Sequence, residues 1–253
     1  AMSLGGCGLA GNAEPFLQEG DEIIISQYEH HANFLPWQEL SRSLNLELKI
    51  VPCPQGEFDF PAYKSMLNEK TKLVCISHMT NVSGSVFPIL EIAQAAHKTG
   101  ALVLIDGAQG IAHGGIDLSV IPCDFYCFSG HKMLAPTGIG ILFARKSVQR
   151  HLAPVFFGGG IVDRVDRKTT SYLDPPLLLE AGTPNYTGAI ALARAIEYIE
   201  NLGVSNIYER EKALTDYCLE RVSSLPKCKL IGHPRNRMCI ISFYIPGIHP
   251  FDL

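Results

Sequence analysis

Short apolar runs recur between Glu22 and Ala144, each set off from the next by a stretch of helical spacing. The pattern predicts strands at Glu22–Ser26, Glu47–Val51, Lys72–Ser77, Ala101–Asp106, Asp124–Phe128 and Gly138–Ala144. Several of these runs, Leu102–Ile105 among them, are continuous rather than alternating. A strand covered on both faces needs apolar residues at every position, so the sheet is expected to be mostly parallel with helices on both sides. Helices are predicted at Phe34–Leu44, Pro61–Leu67 and Pro88–Lys98, the last with proline in its first turn and Gly100 just past its end. Strand and helix in alternation indicate an α/β domain.

The pattern changes further along. Two long amphipathic helices are expected at Thr187–Asn201 and Asn206–Leu225, followed by strands at Lys229–Ile231 and Cys239–Ile245. One helix and two strands make a thin core, so residues 204–253 read as the beginning of a smaller, incomplete α+β domain after a large domain over 1–203. The glycines at 158–160 and the charged stretch to Thr170 suggest a mobile surface loop.

Charge and composition narrow the function. Lys and Arg number 21 against 25 Asp and Glu, a formal charge of −4, so no basic excess drives binding to nucleic acid. Hydrophobic residues make up 47% and charged residues 18%, which suits a packed domain rather than a disordered chain. No apolar run approaches the roughly 20 residues that span a bilayer, and no segment reads as a secretion signal. The eight cysteines form no C-x-x-C pair, and Cys75, Cys127 and Cys239 lie in apolar runs. A reduced, cytoplasmic protein with small buried thiols is expected.

The candidate chemistry sits just past three of the apolar runs, at His78-Met79-Thr80-Asn81, Asp106-Gly107-Ala108-Gln109 and Ser129-Gly130-His131-Lys132. Ligands of open parallel sheets bind outside the carboxyl ends of strands, where such residues converge. Asp106 follows four apolar residues, and a carboxylate at the rim of a core needs a positive partner, such as the ring nitrogen of pyridoxal phosphate, or a turn to cap. Lys132, bracketed by apolar residues, is a candidate Schiff-base amine. His30 and His31 follow the first strand and are either ring-stacking, proton-moving groups or exposed members of a turn capped by Asn33. No helical pair of histidines at i, i+4, no Walker loop and no dinucleotide glycine pattern occurs, so metal and nucleotide sites are not expected.

Five segments in order carry a resemblance: Glu29-His30-His31-Ala32-Asn33 with Pro36-Trp37, Thr80-Asn81-Val82-Ser83-Gly84, Asp106-Gly107-Ala108-Gln109, Ser129-Gly130-His131-Lys132 with Pro136-Thr137-Gly138-Ile139-Gly140, and Glu180-Ala181-Gly182-Thr183-Pro184-Asn185. From about Gly20 onward the chain resembles the class V aminotransferase family and, within it, the group II (SUF-type) cysteine desulfurases and selenocysteine lyases. The resemblance implies the fold-type I large domain of pyridoxal-phosphate enzymes. It implies that Lys132 holds the cofactor and shuttles the substrate Cα proton, that Asp106 pairs with the ring nitrogen and that His30 stacks on the ring. Gln109 and Asn81 would serve the phenolic oxygen and the substrate side, and Ser129 and His131 the phosphate.

Thr183 would reach the phosphate bound by a partner subunit, which implies a homodimer. The implied reaction takes sulfur from cysteine, or selenium from selenocysteine, to leave alanine, with the sulfur passed as a persulfide to an acceptor protein for iron–sulfur cluster assembly. Two features of the family are not found: a phosphate-binding Gly-Thr-Thr loop ahead of the first strand, and a C-terminal segment bearing a nucleophilic cysteine and a carboxylate-gripping arginine. None of the eight cysteines fits that cysteine's position. A chain cut at both ends and impaired in desulfuration is therefore expected. A kynureninase-like lyase, an aminotransferase, or a silent fragment that only dimerises or binds a partner are the alternatives.

Overall fold

The computed structural model describes residues 16–252. The stretch ahead of Glu22, in which the family's Gly-Thr-Thr loop is not found, lies mostly outside the described residues. A six-stranded sheet forms from β1 (Glu22–Ser26), β2 (Glu47–Val51), β3 (Thr71–Ser77), β4 (Leu102–Asp106), β5 (Phe125–Ser129) and β6 (Gly140–Ala144), in the order β2-β1-β3-β4-β5-β6. The first four pairings are parallel, and β6 runs antiparallel to β5 at the edge.

The continuous apolar runs have the predicted cause. Successive side chains of a strand leave on opposite faces. On one face Ile23, Ile25, Leu73, Cys75 and Phe125 pack with Trp37 and Leu40 of helix α1 (His31–Leu44). On the other, Ile24, Val74, Ile76, Val103, Ile105 and Tyr126 pack with Tyr63 of α2 (Phe60–Met66) and Ile89, Ile92 and Ala96 of α3 (Ile89–His97). The short α4 (Gly110–His113) follows β4, and α5 (Tyr186–Leu202) and α6 (Val204–Ser223) come late in the chain. A third cluster seats Met133 and Ala135 on Leu192, Ala195 and Ile199 of α5, which pins the segment after β5.

Three expectations are corrected. Residues 158–170 are not a plain loop: β7 (Val162–Val165) and β8 (Thr170–Tyr172) pair as a hairpin. Its turn is closed by Asp166, whose carboxylate accepts from the backbone of Lys168 and Thr169 and from the Thr169 hydroxyl. These donors hold that exposed carboxyl below its ordinary pKa. The charged residues of the hairpin hid its strand pattern. The predicted strand Cys239–Ile245 shrinks to β10 (Phe243–Tyr244), paired with β9 (Lys229–Leu230), because Cys239 adopts a left-handed φ of 54° that breaks an extended run. Finally, α1 begins at His31 rather than Phe34. Its cap is His30, whose Nδ1 accepts from the Ala32 N–H at 3.1 Å, and not Asn33, which is buried inside the helix.

Candidate active site at the strand ends

Strand parity places the candidate residues. Leu102 and Leu104 pack toward the α1 side, so Asp106, two residues on, leaves β4 by the same face. Phe125 points to that face as well, so Ser129 does too. Ser77 stands opposite Asp106 in the β3–β4 register, and Cys127 opposite it in β4–β5. The amino end of α1, capped by His30, lies over this face. His30 and Asn81 line one cleft of about 440 Å³ with Gln27, Tyr28, Glu29, His31 and Val82. The segments therefore meet at one end of one face of the sheet.

Lys132 sits in a 3₁₀ turn, Gly130–Met133, between two buried residues. Three bonds hold the turn rigid: Gly130 N–H to Ile139 O at 2.9 Å, Ala135 N–H to Gly130 O at 3.0 Å, and a left-handed Leu134 closing onto Gly130 O. The half-buried Lys132 amine has no hydrogen bond or ion pair with any described residue. The side chains of Ser129, Gln109 and Asn81 are likewise half-buried and unpartnered among the described residues. Asp106 uses one carboxylate oxygen to accept from Ala108 N–H at 2.9 Å and leaves the other free. An amine, a carboxylate oxygen, a hydroxyl and two amides left open at the sheet's carboxyl end are what a polar, charged ligand requires.

His131 and Thr183 are exposed. Thr183 lies two residues before Asn185, which caps α5 through Gly188 N–H and donates from Nδ2 to Gly138 O at 2.9 Å. That bond moors the Thr183 loop beside the start of β6.

Three further residues shape the site, although the motifs that contain them assign them no individual chemical role. Glu29 is buried, and its carboxylate accepts from Ser26 Oγ, from Asn33 Nδ2 at 2.6 Å, and from Ser77 N and Oγ at 3.0 and 2.6 Å. Asn33 in turn accepts from Trp37 Nε1 at 3.0 Å. Burial drives the Glu29 carboxyl above its usual range, and these donors oppose it. His78 Nδ1 lies 3.1 Å from the Tyr126 hydroxyl, and burial pushes its pKa down to about 4, so its imidazole is neutral at neutral pH.

Gly107 is the third. A Cβ there would lie 2.0 Å from Cζ of Tyr126, a residue only 1% exposed. The Asp106-Gly107 pair therefore serves close packing beneath the carboxylate, since Gly107 has no left-handed φ to accommodate. Gly107→Ala should lower stability by about 3 kcal/mol through overpacking, read as a shift in the urea midpoint with unchanged slope. A wild-type midpoint would contradict this packing.

A model described as aminotransferase class-V matches residues 8–253. The chain belongs to the class-V aminotransferase family. Among curated relatives of this family member, a probable cysteine desulfurase of Staphylococcus epidermidis is 43% identical over 239 residues, 94% of this chain and 58% of that protein. A cysteine desulfurase of Escherichia coli is 41% identical over 239 residues, 94% of this chain and 59% of that protein. The chain thus spans just under three fifths of the length of these curated relatives. The apo structure of a cysteine desulfurase from Thermococcus onnurineus NA1 superposes with a TM-score of 0.91 at 33% identity, covering 99% of this chain and 61% of that one. Another, from Escherichia coli, gives 0.89 at 30% identity, covering 94% and 59%. The expected α/β class-V fold is the observed one. Among the described residues no helix is long and apolar enough to cross a membrane.

Proposed function

We propose that this chain forms the cofactor-holding part of a pyridoxal-phosphate-dependent cysteine desulfurase. The observation that carries the reading is the set of unpartnered polar side chains beyond the carboxyl ends of β3, β4 and β5, Lys132 and Asp106 among them. The donor set suits the cofactor: an amine for its aldehyde, a carboxylate for its ring nitrogen, a hydroxyl and amides for its oxygens. The names of the curated relatives support the choice of reaction.

Bound pyridoxal phosphate supplies a cationic ring that draws electron density from the substrate Cα. The residues of this chain do the rest. Lys132 would hold the aldehyde carbon and move the proton at the substrate Cα. Asp106 would keep the ring nitrogen protonated through its free carboxylate oxygen. His30, which lines one cleft with Asn81, would cover the ring and relay a proton. Gln109 and Asn81 would bind the phenolic oxygen and the substrate side. Ser129 and His131 would bind phosphate, joined by Thr183 of a second subunit in a homodimer. In this reading residues 1–203 are the cofactor domain and 204–253 open the second domain.

The substrate is cysteine or selenocysteine. From cysteine the sulfur would pass to a thiol as a persulfide for an acceptor protein to collect, from selenocysteine the selenium would leave instead, and alanine is released in either case. The seven cysteines among the described residues are free thiols, in keeping with a reducing, cytoplasmic setting.

The test is to incubate the purified chain with pyridoxal phosphate, L-cysteine and a dithiol reductant, and to quantify products. Alanine and sulfide in equal amounts are expected, at a low rate, because none of the eight cysteines fits the position of the family's nucleophilic cysteine. A keto acid in place of alanine would move the chain to a sibling reaction of the family, and no turnover with cofactor bound would leave it a binding module.

A further inference from the structure

Away from the strand ends, three ligating side chains from distant parts of the chain converge. His113 ends α4, Glu211 lies within α6, and Cys239 precedes β10. The His113 Nδ1 stands 2.9 and 3.1 Å from the two Glu211 carboxylate oxygens, and the Cys239 Sγ 3.1 Å from Oε2 of the same carboxylate. One nitrogen, one oxygen and one sulfur ligand atom all lie within 4.8 Å of one another, and all three residues are half-buried.

The thiol is aimed by the backbone. Cys239 holds a left-handed φ of 54°, a conformation that non-glycine residues rarely adopt. Its N–H donates to Thr215 Oγ1 at 2.9 Å, and the Thr215 hydroxyl donates to Glu211 O one turn earlier on α6 at 2.7 Å. Thr215 is buried. The same helix turn thus positions the carboxylate and the cysteine. A cleft of about 430 Å³, lined by Glu211, Thr215, Cys218 and Cys239, gives access from solvent.

We propose that His113, Glu211 and Cys239 form a binding site for a divalent zinc ion, with solvent as the fourth ligand. Imidazole, carboxylate and thiolate are the ligand types zinc takes, whereas magnesium and calcium prefer oxygen alone. With zinc–ligand bonds of about 2.0–2.3 Å, tetrahedral N···O and S···O edges are about 3.3–3.6 Å. The N···O and S···O separations to Glu211 need widen by only a few tenths of an ångström. Binding converts the Cys239 thiol to thiolate and releases one proton per ion, with no electron transferred. Because α4 starts immediately after Gln109, the ion would clamp the Asp106–Gln109 turn to α6 and to the segment bearing Cys239. The site is independent of the desulfurase reading, since no cofactor-site residue takes part.

The experiment is a titration of the chelator-treated full chain with Zn²⁺ by calorimetry, and with Co²⁺ as a spectroscopic substitute. One ion per chain is expected, with a thiolate-to-cobalt charge-transfer band in the near ultraviolet and no response to Mg²⁺. His113→Asn, Glu211→Gln and Cys239→Ser should each weaken zinc at least about tenfold, as loss of even an outer partner does. Cys239→Ser should remove the band, and Cys218→Ser should retain it. Absence of the band in the wild type, wild-type zinc affinity in Cys239→Ser, or loss of the band in Cys218→Ser overturns the assignment. The wild-type cobalt spectrum decides the matter even where a variant fails to fold.

Discussion

Lys132→Ala should abolish covalent retention of pyridoxal phosphate while leaving the fold unchanged. After borohydride reduction, the wild-type chain should gain the mass of one cofactor at a peptide containing Lys132, and the variant should gain none. Turnover should fall by at least about 10²–10⁴, the range attributed to a positioned proton-transfer group alone. The fold should survive because the Lys132 side chain holds nothing in place. It has no partner among the described residues, and the turn around it is held by backbone bonds of Gly130 and Ala135 and by Met133 against α5. Borohydride labelling of a different lysine in wild type would remove Lys132 from the centre of the proposed chemistry.

Glu29→Gln should cost about 2–4 kcal/mol and flatten the dependence of stability on pH. Each carboxylate oxygen faces two donors: Ser26 Oγ and Ser77 N on one side, Asn33 Nδ2 and Ser77 Oγ on the other. A carboxamide must turn its NH₂ to one of these sides. Hydroxyls can rotate to accept, but the Ser77 N–H and the Asn33 amide cannot, so one N–H is stranded in either orientation. A buried unmatched donor costs about 1–3 kcal/mol, and the lost charge-assisted bonds add to that.

The sign of the pH effect follows from burial, which raises the Glu29 carboxyl in the folded state above its unfolded value of about 4.5. The folded chain then binds the proton more tightly than the unfolded one. That contribution is fully present below the unfolded value and is lost as pH rises through the folded value. Denaturant midpoints measured in steps from pH 4 toward 8 should fall more steeply for wild type than for Glu29→Gln. Parallel profiles would mean that the donors, and not burial, govern this carboxyl. Because Glu29 ties the His30 turn to β3, the variant should also loosen cofactor binding.

How much of the site was legible in the sequence depends on the range of the forces involved. The strand-end residues Asn81, Asp106, Ser129 and Lys132 stood out because an apolar run that stops at a polar residue is visible locally. Glu29 did not. It sits among polar neighbours like any loop carboxylate, and its burial comes from Ser77, 48 residues away. Gly107 looked like half of a turn until the ring of Tyr126 arrived from the neighbouring strand. The hairpin at Val162–Tyr172 was masked by its own charges, and the helix cap fell to His30 because Asn33 was drawn inward by Glu29.

By itself, the order of apolar runs and helical spacings determined a doubly covered, mostly parallel sheet, and motif order determined the family resemblance. Both are properties of neighbours along the chain, since alternation and continuity are set by which faces of a strand meet water. Tertiary structure alone decided which face Asp106 and Ser129 share, what Glu29 holds together, and that His113 meets Glu211 across 98 residues and Glu211 meets Cys239 across 28. Those outcomes depend on desolvation and hydrogen bonds between segments whose proximity is set by packing of the whole domain, and no local window of sequence contains that information.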